Sequence, residues 1–304
     1  MKSLLRIVLA AVFVLAAVSG FAQAKLSAED QKRFDSYFVS VEWAKANADK
    51  VVFLDARSKA DYDKGHLPGA VNLHWTQLSN VAVKQGEPGW SVILPADRLA
   101  KILGDVGIDG KKTIVVYNDP LVGWGEEGRN LWELRVFGLK NSYALNGGLT
   151  AWKKIGGAVT TDTTKVTAVT LNQPEADWSL FSSTDYLAQN LSSLKVFDVR
   201  EKEEYLAKKN YGEKKNGRIP GSKNIWFKDL YHADGTVKTP EEIRAQVLAE
   251  TGYKTDDLIV AYCTGGIRSG FATIALRASG FDKARNYDAS FSEWAGTNQV
   301  IENP

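Results

Sequence analysis

The sequence predicts an α/β protein made of two homologous domains, each a parallel sheet flanked by helices. Three observations carry that expectation. Short apolar runs rich in Val and Ile recur along the chain, segments with apolar residues at three- and four-residue intervals lie between them, and one set of motifs occurs twice in the same order. Uninterrupted apolar runs of strand length are typical of strands buried on both faces. Strand alternating with helix is the pattern of a parallel sheet, whose function sits at the carboxyl ends of the strands.

In chain order, residues 1–24 come first and stand apart. Lys2 and Arg6 precede an apolar run over 7–17, followed by Ser19, Gly20, and then Ala22, Gln23 and Ala24, with small residues where a signal peptidase needs them. This predicts a cleaved signal peptide and an exported, periplasmic protein with no stable membrane insertion after cleavage. The alternative is an uncleaved anchor, but a bilayer core needs about 20 apolar residues and this run is shorter. The only cysteine, Cys263, lies far from the amino terminus, so no lipid-bearing cysteine is expected there.

The first repeat is placed at 25–160, with strands expected at 51–54 and 114–117 and helices at 96–103 and 129–137, the latter stopped by Gly138. A Thr-rich segment without helical periodicity, 161–173, reads as the linker. The second repeat, 174–304, has strands expected at 196–197 and 258–262 and helices at 240–249 and 269–279, with Gly280 as a stop. The repeats correspond motif by motif. Asp55 and Arg57 answer Asp198 and Arg200; Gly65, Pro68, Gly69 and Asn72 answer Gly217, Pro220, Gly221 and Asn224; Tyr117 and Asn118 answer Tyr262 and Cys263; Trp152 answers Trp294. Four matches in one order mean duplication.

Of 304 residues, 44% are hydrophobic and 24% charged, enough apolar material for two ordinary domains. Loss of the leader removes Lys2 and Arg6 and leaves 36 basic against 36 acidic residues. A neutral chain without a basic run gives no case for nucleic acid, so the expected partner is small. A single cysteine makes no internal disulfide, and His66, His74 and His232 lack paired ligand spacing, so no metal is expected.

Cys263 ends an apolar run and is followed by Thr264, Gly265, Gly266, Ile267 and Arg268, with a helical pattern opening at Ser269. A strand-end thiol beside a helix amino terminus faces loop amides and the positive end of the helix dipole, which favours thiolate at neutral pH. Two glycines let the loop curl and bring amides close to whatever the sulfur carries, and Arg268 adds a permanent cation. An inert buried cysteine is the bland alternative.

The loop 263–268, the Asp198-Val199-Arg200 segment, the Arg218-Ile219-Pro220-Gly221 turn and the duplicated layout together resemble the tandem-domain rhodanese family of thiosulfate and 3-mercaptopyruvate sulfurtransferases. The resemblance implies two rhodanese-like domains, a non-catalytic one at 25–160 and a catalytic one at 174–304, with Cys263 cycling through a persulfide. It also implies that Thr264, Gly265, Gly266, Ile267 and Arg268 bind the substrate. Asn118, at the cysteine position of the first copy, fits that asymmetry. The six-residue span from Cys263 to Arg268 has the sulfurtransferase length, whereas related phosphatases carry one residue more. The pair Thr264-Gly265 matches neither the Arg-Lys of thiosulfate enzymes nor the Gly-Ser of mercaptopyruvate enzymes. Glu204 stands where the family often has a base, leaving Arg268, the loop amides and Arg218 to meet an anionic donor.

The expected activity is transfer of sulfane sulfur from thiosulfate or a similar donor to a thiol or cyanide acceptor, a double displacement for which no organic cofactor or metal is expected. The alternatives are a persulfide carrier without efficient turnover and a phosphatase- or arsenate-reductase-like enzyme. Asp55, Arg57, Asp198 and Arg200 are expected to form structural ion pairs, because the half without a cysteine keeps them. Trp75 and Trp226 are expected in packing, with Trp226 the better candidate for a substrate contact.

Overall fold

The computed structural model describes residues 26–304. The expected signal peptide lies outside the described residues. Within them, no helix is long and apolar enough to cross a membrane.

The first half runs α1 (Ala28–Asp35), β1 (Phe38–Val39), α2 (Val41–Ala46), β2 (Val51–Asp55), α3 (Lys59–Asp63), β3 (Val71–Asn72), α4 (Ala96–Asp105), β4 (Thr113–Tyr117), α5 (Glu126–Phe137), β5 (Ser142–Leu145) and α6 (Gly148–Lys154). The second runs β6 (Phe181–Ser182), α7 (Thr184–Asn190), β7 (Lys195–Asp198), α8 (Lys202–Tyr205), β8 (Lys223–Asn224), α9 (Pro240–Thr251), β9 (Ile259–Tyr262), α10 (Ile267–Ala278), β10 (Arg285–Tyr287) and α11 (Ser290–Gly296). Each half holds one five-stranded parallel sheet, ordered β1-β5-β4-β2-β3 and β6-β10-β9-β7-β8. The two orders are the same order, as duplication requires.

Local signals set the helix limits. In α9, Thr239 and Glu242 form a capping box around Pro240 in the first turn, and Gly252 ends the helix at φ 76°. The last helix predicted in the sequence starts two residues earlier than expected, at Ile267, because Gly266 takes the left-handed conformation that caps it. Arg268 is therefore a first-turn helical residue and not a loop residue.

Each sheet buries one face under its own cluster, around Phe53 and Trp152 in the first half and around Tyr287 and Trp294 in the second. The opposite faces share one core across the domain boundary, joining Trp132 and Val116 to Phe197 and Phe271. Helices α5 and α10 meet at its centre, where a Cβ on Gly128 would lie 2.4 Å from the Phe271 Cα. Segment 161–173 is a strap laid on α4: the Val169 amide bonds the Gly104 carbonyl at 3.0 Å, and Leu171 is buried. Helix α1 reaches over to the second half, where Asp30 takes both Arg244 nitrogens at 2.7 and 2.8 Å.

The repeated Asp–Arg motif does the same work twice. Asp55 chelates Arg57, which also bonds the Gly65 carbonyl, and accepts the Tyr117 hydroxyl at 2.7 Å. Asp198 chelates Arg200, which bonds the Gly217 carbonyl, and accepts the Tyr262 hydroxyl at 2.5 Å. Register supplies the contact, since β2 and β4 pair Asp55 with Tyr117, and β7 and β9 pair Asp198 with Tyr262. These groups pin the loops behind the strand ends and satisfy each other's buried charges.

Candidate active site

Cys263 follows the last residue of β9 and is 1% exposed. Its sulfur accepts the Gly266 amide at 3.2 Å and the Ser269 hydroxyl at 3.5 Å, so loop and helix both aim donors at it. Its own amide donates to Ser290 Oγ at 3.1 Å. Ser290 has φ 54°, a left-handed conformation that Gly148 provides at φ 56° in the first half. A serine held there against its preference is backbone strain at the site, and it fixes the cysteine backbone through the hydroxyl.

The two loop glycines serve different ends. Gly266 needs φ 84°, and a Cβ on it would lie 2.3 Å from the Asp288 carbonyl oxygen. Gly265 is required by proximity: a Cβ there would sit 2.6 Å from the Trp90 ring. Trp90, Trp75, Trp124 and Tyr211 wall a largely apolar pocket of about 210 Å³ that reaches Cys263, with Glu126 also on its lining.

Arg268 is held differently from the sequence-based expectation. It is 3% exposed and chelated by Glu204 at 2.6 and 2.9 Å, with Thr264 Oγ1 at 2.7 Å. The Thr264 hydroxyl in turn donates to Glu213 at 2.7 Å. The Trp124 and Tyr211 rings cover the guanidinium at 5.3 and 5.8 Å. The cation expected to receive an anionic donor is thus already ion-paired and roofed, although its charge still reaches the sulfur. Arg218 is no substitute, because it is paired with Glu302 and stacked on Tyr205. Trp226 is not on the pocket lining and packs edge-on against Phe227, so Trp75 is the tryptophan of that pair that faces the site.

Burial pushes the Cys263 thiol up, but the Arg268 charge, the Ser269 hydroxyl and the amides of Ser269 and Gly265 outweigh it and hold the thiol below its ordinary value. Burial likewise opposes ionisation of Glu204, and its hydrogen bonds and charge attraction to Arg268 prevail, keeping it an anion. The thiolate therefore predominates at lower pH than for a free cysteine. The rate of Cys263 alkylation by iodoacetamide should rise through an inflection below the usual thiol range, and an inflection at or above that range would remove the case for a preformed thiolate.

The first half has the same cradle, filled by its own chain. Asn118 replaces the cysteine, and Glu126 lies in front of it, accepting the Asn118 amide at 2.5 Å and the Trp124 backbone amide at 2.7 Å. Glu127, in the first turn of α5 as Arg268 is in that of α10, accepts the Tyr231 hydroxyl at 2.6 Å. Burial and the neighbouring Glu127 charge raise Glu126 to about 7. Sequence reading missed Glu126, Trp90, Trp124 and Tyr211, because none of them belongs to the repeated motifs or is contiguous with the Cys263 loop. Among the described residues, no cluster of three His, Cys, Asp or Glu side chains is placed to hold a metal ion.

The rhodanese-like domain model matches twice, over residues 40–155 and 183–297. The chain belongs to the rhodanese family. It is 30% identical to a thiosulfate sulfurtransferase of Azotobacter vinelandii, over 83% of this chain and 90% of the relative. It is 32% identical to one of Pseudomonas aeruginosa, over 81% and 89%. A sulfur carrier protein of Thermus thermophilus, TtuD, is 28% identical over 77% and 83%. In fold the chain resembles an anaerobic ergothioneine biosynthesis enzyme of Chlorobium limicola, solved with trimethyl histidine, with a TM-score of 0.77, 19% identity, and coverage of 88% of this chain and 70% of that one. The protein is a tandem rhodanese-like sulfurtransferase, with two parallel α/β domains.

Proposed function

We propose that Cys263 is the sulfur carrier of this sulfurtransferase, that residues 174–304 are the catalytic domain, and that 25–160 form a non-catalytic partner. The Cys263 thiolate attacks the outer sulfur of thiosulfate or a similar sulfane donor. The S–S bond of the donor breaks, and sulfite or its equivalent leaves with the electron pair. An acceptor thiolate, or cyanide, then attacks the terminal sulfur of the Cys263 persulfide and expels the Cys263 thiolate, restoring the enzyme. Neither half-reaction needs a metal or cofactor electron, because the sulfane sulfur is passed on without net oxidation.

The observation that carries this reading is the convergence of the Gly266 amide and Ser269 hydroxyl on the sulfur, which suits a persulfide anion as well as a thiolate. Thr264, Gly265, Ile267 and Arg268 then position the substrate at second hand: Gly265 admits the Trp90 ring, Thr264 and Arg268 hold the carboxylate ring that shapes the floor, and Ile267 lines the wall. The carboxylates around Arg268 oppose a phosphate or arsenate oxyanion there. A carrier role remains as a second reading, favoured by the roofed guanidinium, and it is distinguished by single loading without repeated turnover.

Thiosulfate treatment followed by desalting should add one sulfur atom to the protein by intact mass, and cyanide should remove it. No label from any sulfane donor overturns the proposal. The exported fraction should contain protein beginning at Lys25; Met1 intact in a membrane fraction points instead to an anchor.

A further inference from the structure

The walls of the pocket over Cys263 offer more to a cation than to an anion. Its walls present the rings of Trp75, Trp90, Trp124 and Tyr211, of which Trp124 and Tyr211 meet edge to face with centroids 5.5 Å apart. Aromatic faces carry negative potential and attract cations, most strongly where water is displaced. The two charged lining residues are Arg268 and Glu126. Arg268 is bound by Glu204 on one side and covered by rings on the other, with Glu213 one hydrogen bond further back through Thr264. Glu126 is held by its Oε2 alone, to the Asn118 and Trp124 amides. Carboxylates therefore outnumber the cation around the pocket, and the cation is the group that is shielded.

We infer that the sulfur acceptor is a thiol bearing an alkylammonium group, which places its cation among the Trp75, Trp90 and Trp124 rings beside Glu126 while its sulfur reaches Cys263. This rests on Cys263 being the sulfur carrier and adds the chemical class of the partner. Transfer is the same displacement as above: the acceptor thiolate forms a bond to the outer sulfur, the Cys263 thiolate leaves, and the ammonium takes no part in the electron flow. Its contribution is orientation and charge complementarity. A mercaptocarboxylate of equal length brings a second anion to Glu126 and the ring faces.

The test uses three thiols of one length and different charge. Mature protein loaded with sulfur is discharged at pH 8 by cysteamine, 2-mercaptoethanol or mercaptoacetate, compared at equal thiolate concentration, and loss of the extra sulfur is followed by intact mass. Cysteamine should be about tenfold faster than mercaptoacetate, with mercaptoethanol between them, a factor in the range of one desolvated cation–π contact. Glu126→Gln should narrow the cysteamine-to-mercaptoacetate ratio about threefold, an effect that loss of a merely structural hydrogen bond does not direct by acceptor charge. Equal rates, or the reverse order, overturn the inference while leaving the persulfide intact.

A second measurement does not depend on loading. Choline should slow alkylation of Cys263 by iodoacetamide, and its neutral isostere 3,3-dimethylbutan-1-ol should do so about tenfold more weakly. Equal protection by the two means that the pocket selects apolar shape and not charge, and the inference falls. If no donor loads Cys263 and choline still protects selectively, the carrier assignment fails and the cation site stands.

Discussion

Cys263→Ser should lose sulfur transfer by about three orders of magnitude or more, while the folded state remains. A serine hydroxyl is not ionised at neutral pH and forms no transferable sulfane bond. It still accepts the Gly266 amide that the sulfur accepts at 3.2 Å, and it fits the space of a side chain that is 1% exposed. The change in unfolding free energy should stay within about 1 kcal/mol. Turnover by purified serine variant above a few per cent of wild type removes Cys263 from the mechanism. Loss of activity accompanied by loss of cooperative unfolding leaves the assignment to the mass measurement described above.

The largest effect on stability is expected from Arg129→Met. Arg129 stands on α5 of the first half, is fully buried, and ties the halves together. Its nitrogens bond Glu133 at 3.0 Å, Asp288 at 2.5 Å, the Gly266 carbonyl at 3.3 Å, the Ser91 carbonyl at 2.8 Å and Ser79 Oγ at 2.9 Å. Methionine keeps much of the volume and removes the charge, leaving Glu133 and Asp288 as buried carboxylates without a counterion. Breaking such a group from one side costs about 3–5 kcal/mol. Burial already raises Glu133 to about 7 and pushes Asp288 up, so both should take protons in the variant. Chemical denaturation should show an unfolding free energy lowered by that amount and a midpoint lowered in proportion, with Arg129→Lys recovering part of both. An unchanged midpoint means that the Arg129 cluster contributes nothing to joining the domains. Because Gly266 lies in the cysteine cradle, the methionine variant should also transfer sulfur more slowly at temperatures where it is fully folded.

Much of the fold was legible because its signals are local or repeated. Short uninterrupted apolar runs marked β2, β4, β7 and β9, and the recurrence of Asp-x-Arg, Gly-x-x-Pro-Gly and the strand-end Tyr divided the chain. The pairing of Asp55 with Tyr117 and of Asp198 with Tyr262 follows from register once the strands are adjacent. The cysteine cradle was legible for a similar reason, since a strand end, two glycines and a helix start are contiguous. The helix start was misplaced by two residues because the left-handed turn at Gly266, and not the polar Ser269, caps it.

What contiguity does not reveal is who occupies the space in front of the sulfur. By itself the sequence determined the doubled α/β architecture, the family and a single candidate nucleophile, because those depend on periodicity and on residues adjacent in the chain. The tertiary structure decided that Arg268 is bound by Glu204, that Trp75 and not Trp226 faces the pocket, and that the first half lends Trp90, Trp124 and Glu126 to the site of the second. Those contacts join residues about 60 to 190 positions apart, brought together only when α5 and α10 pack into one core, and a pattern read along the chain carries no term for that distance.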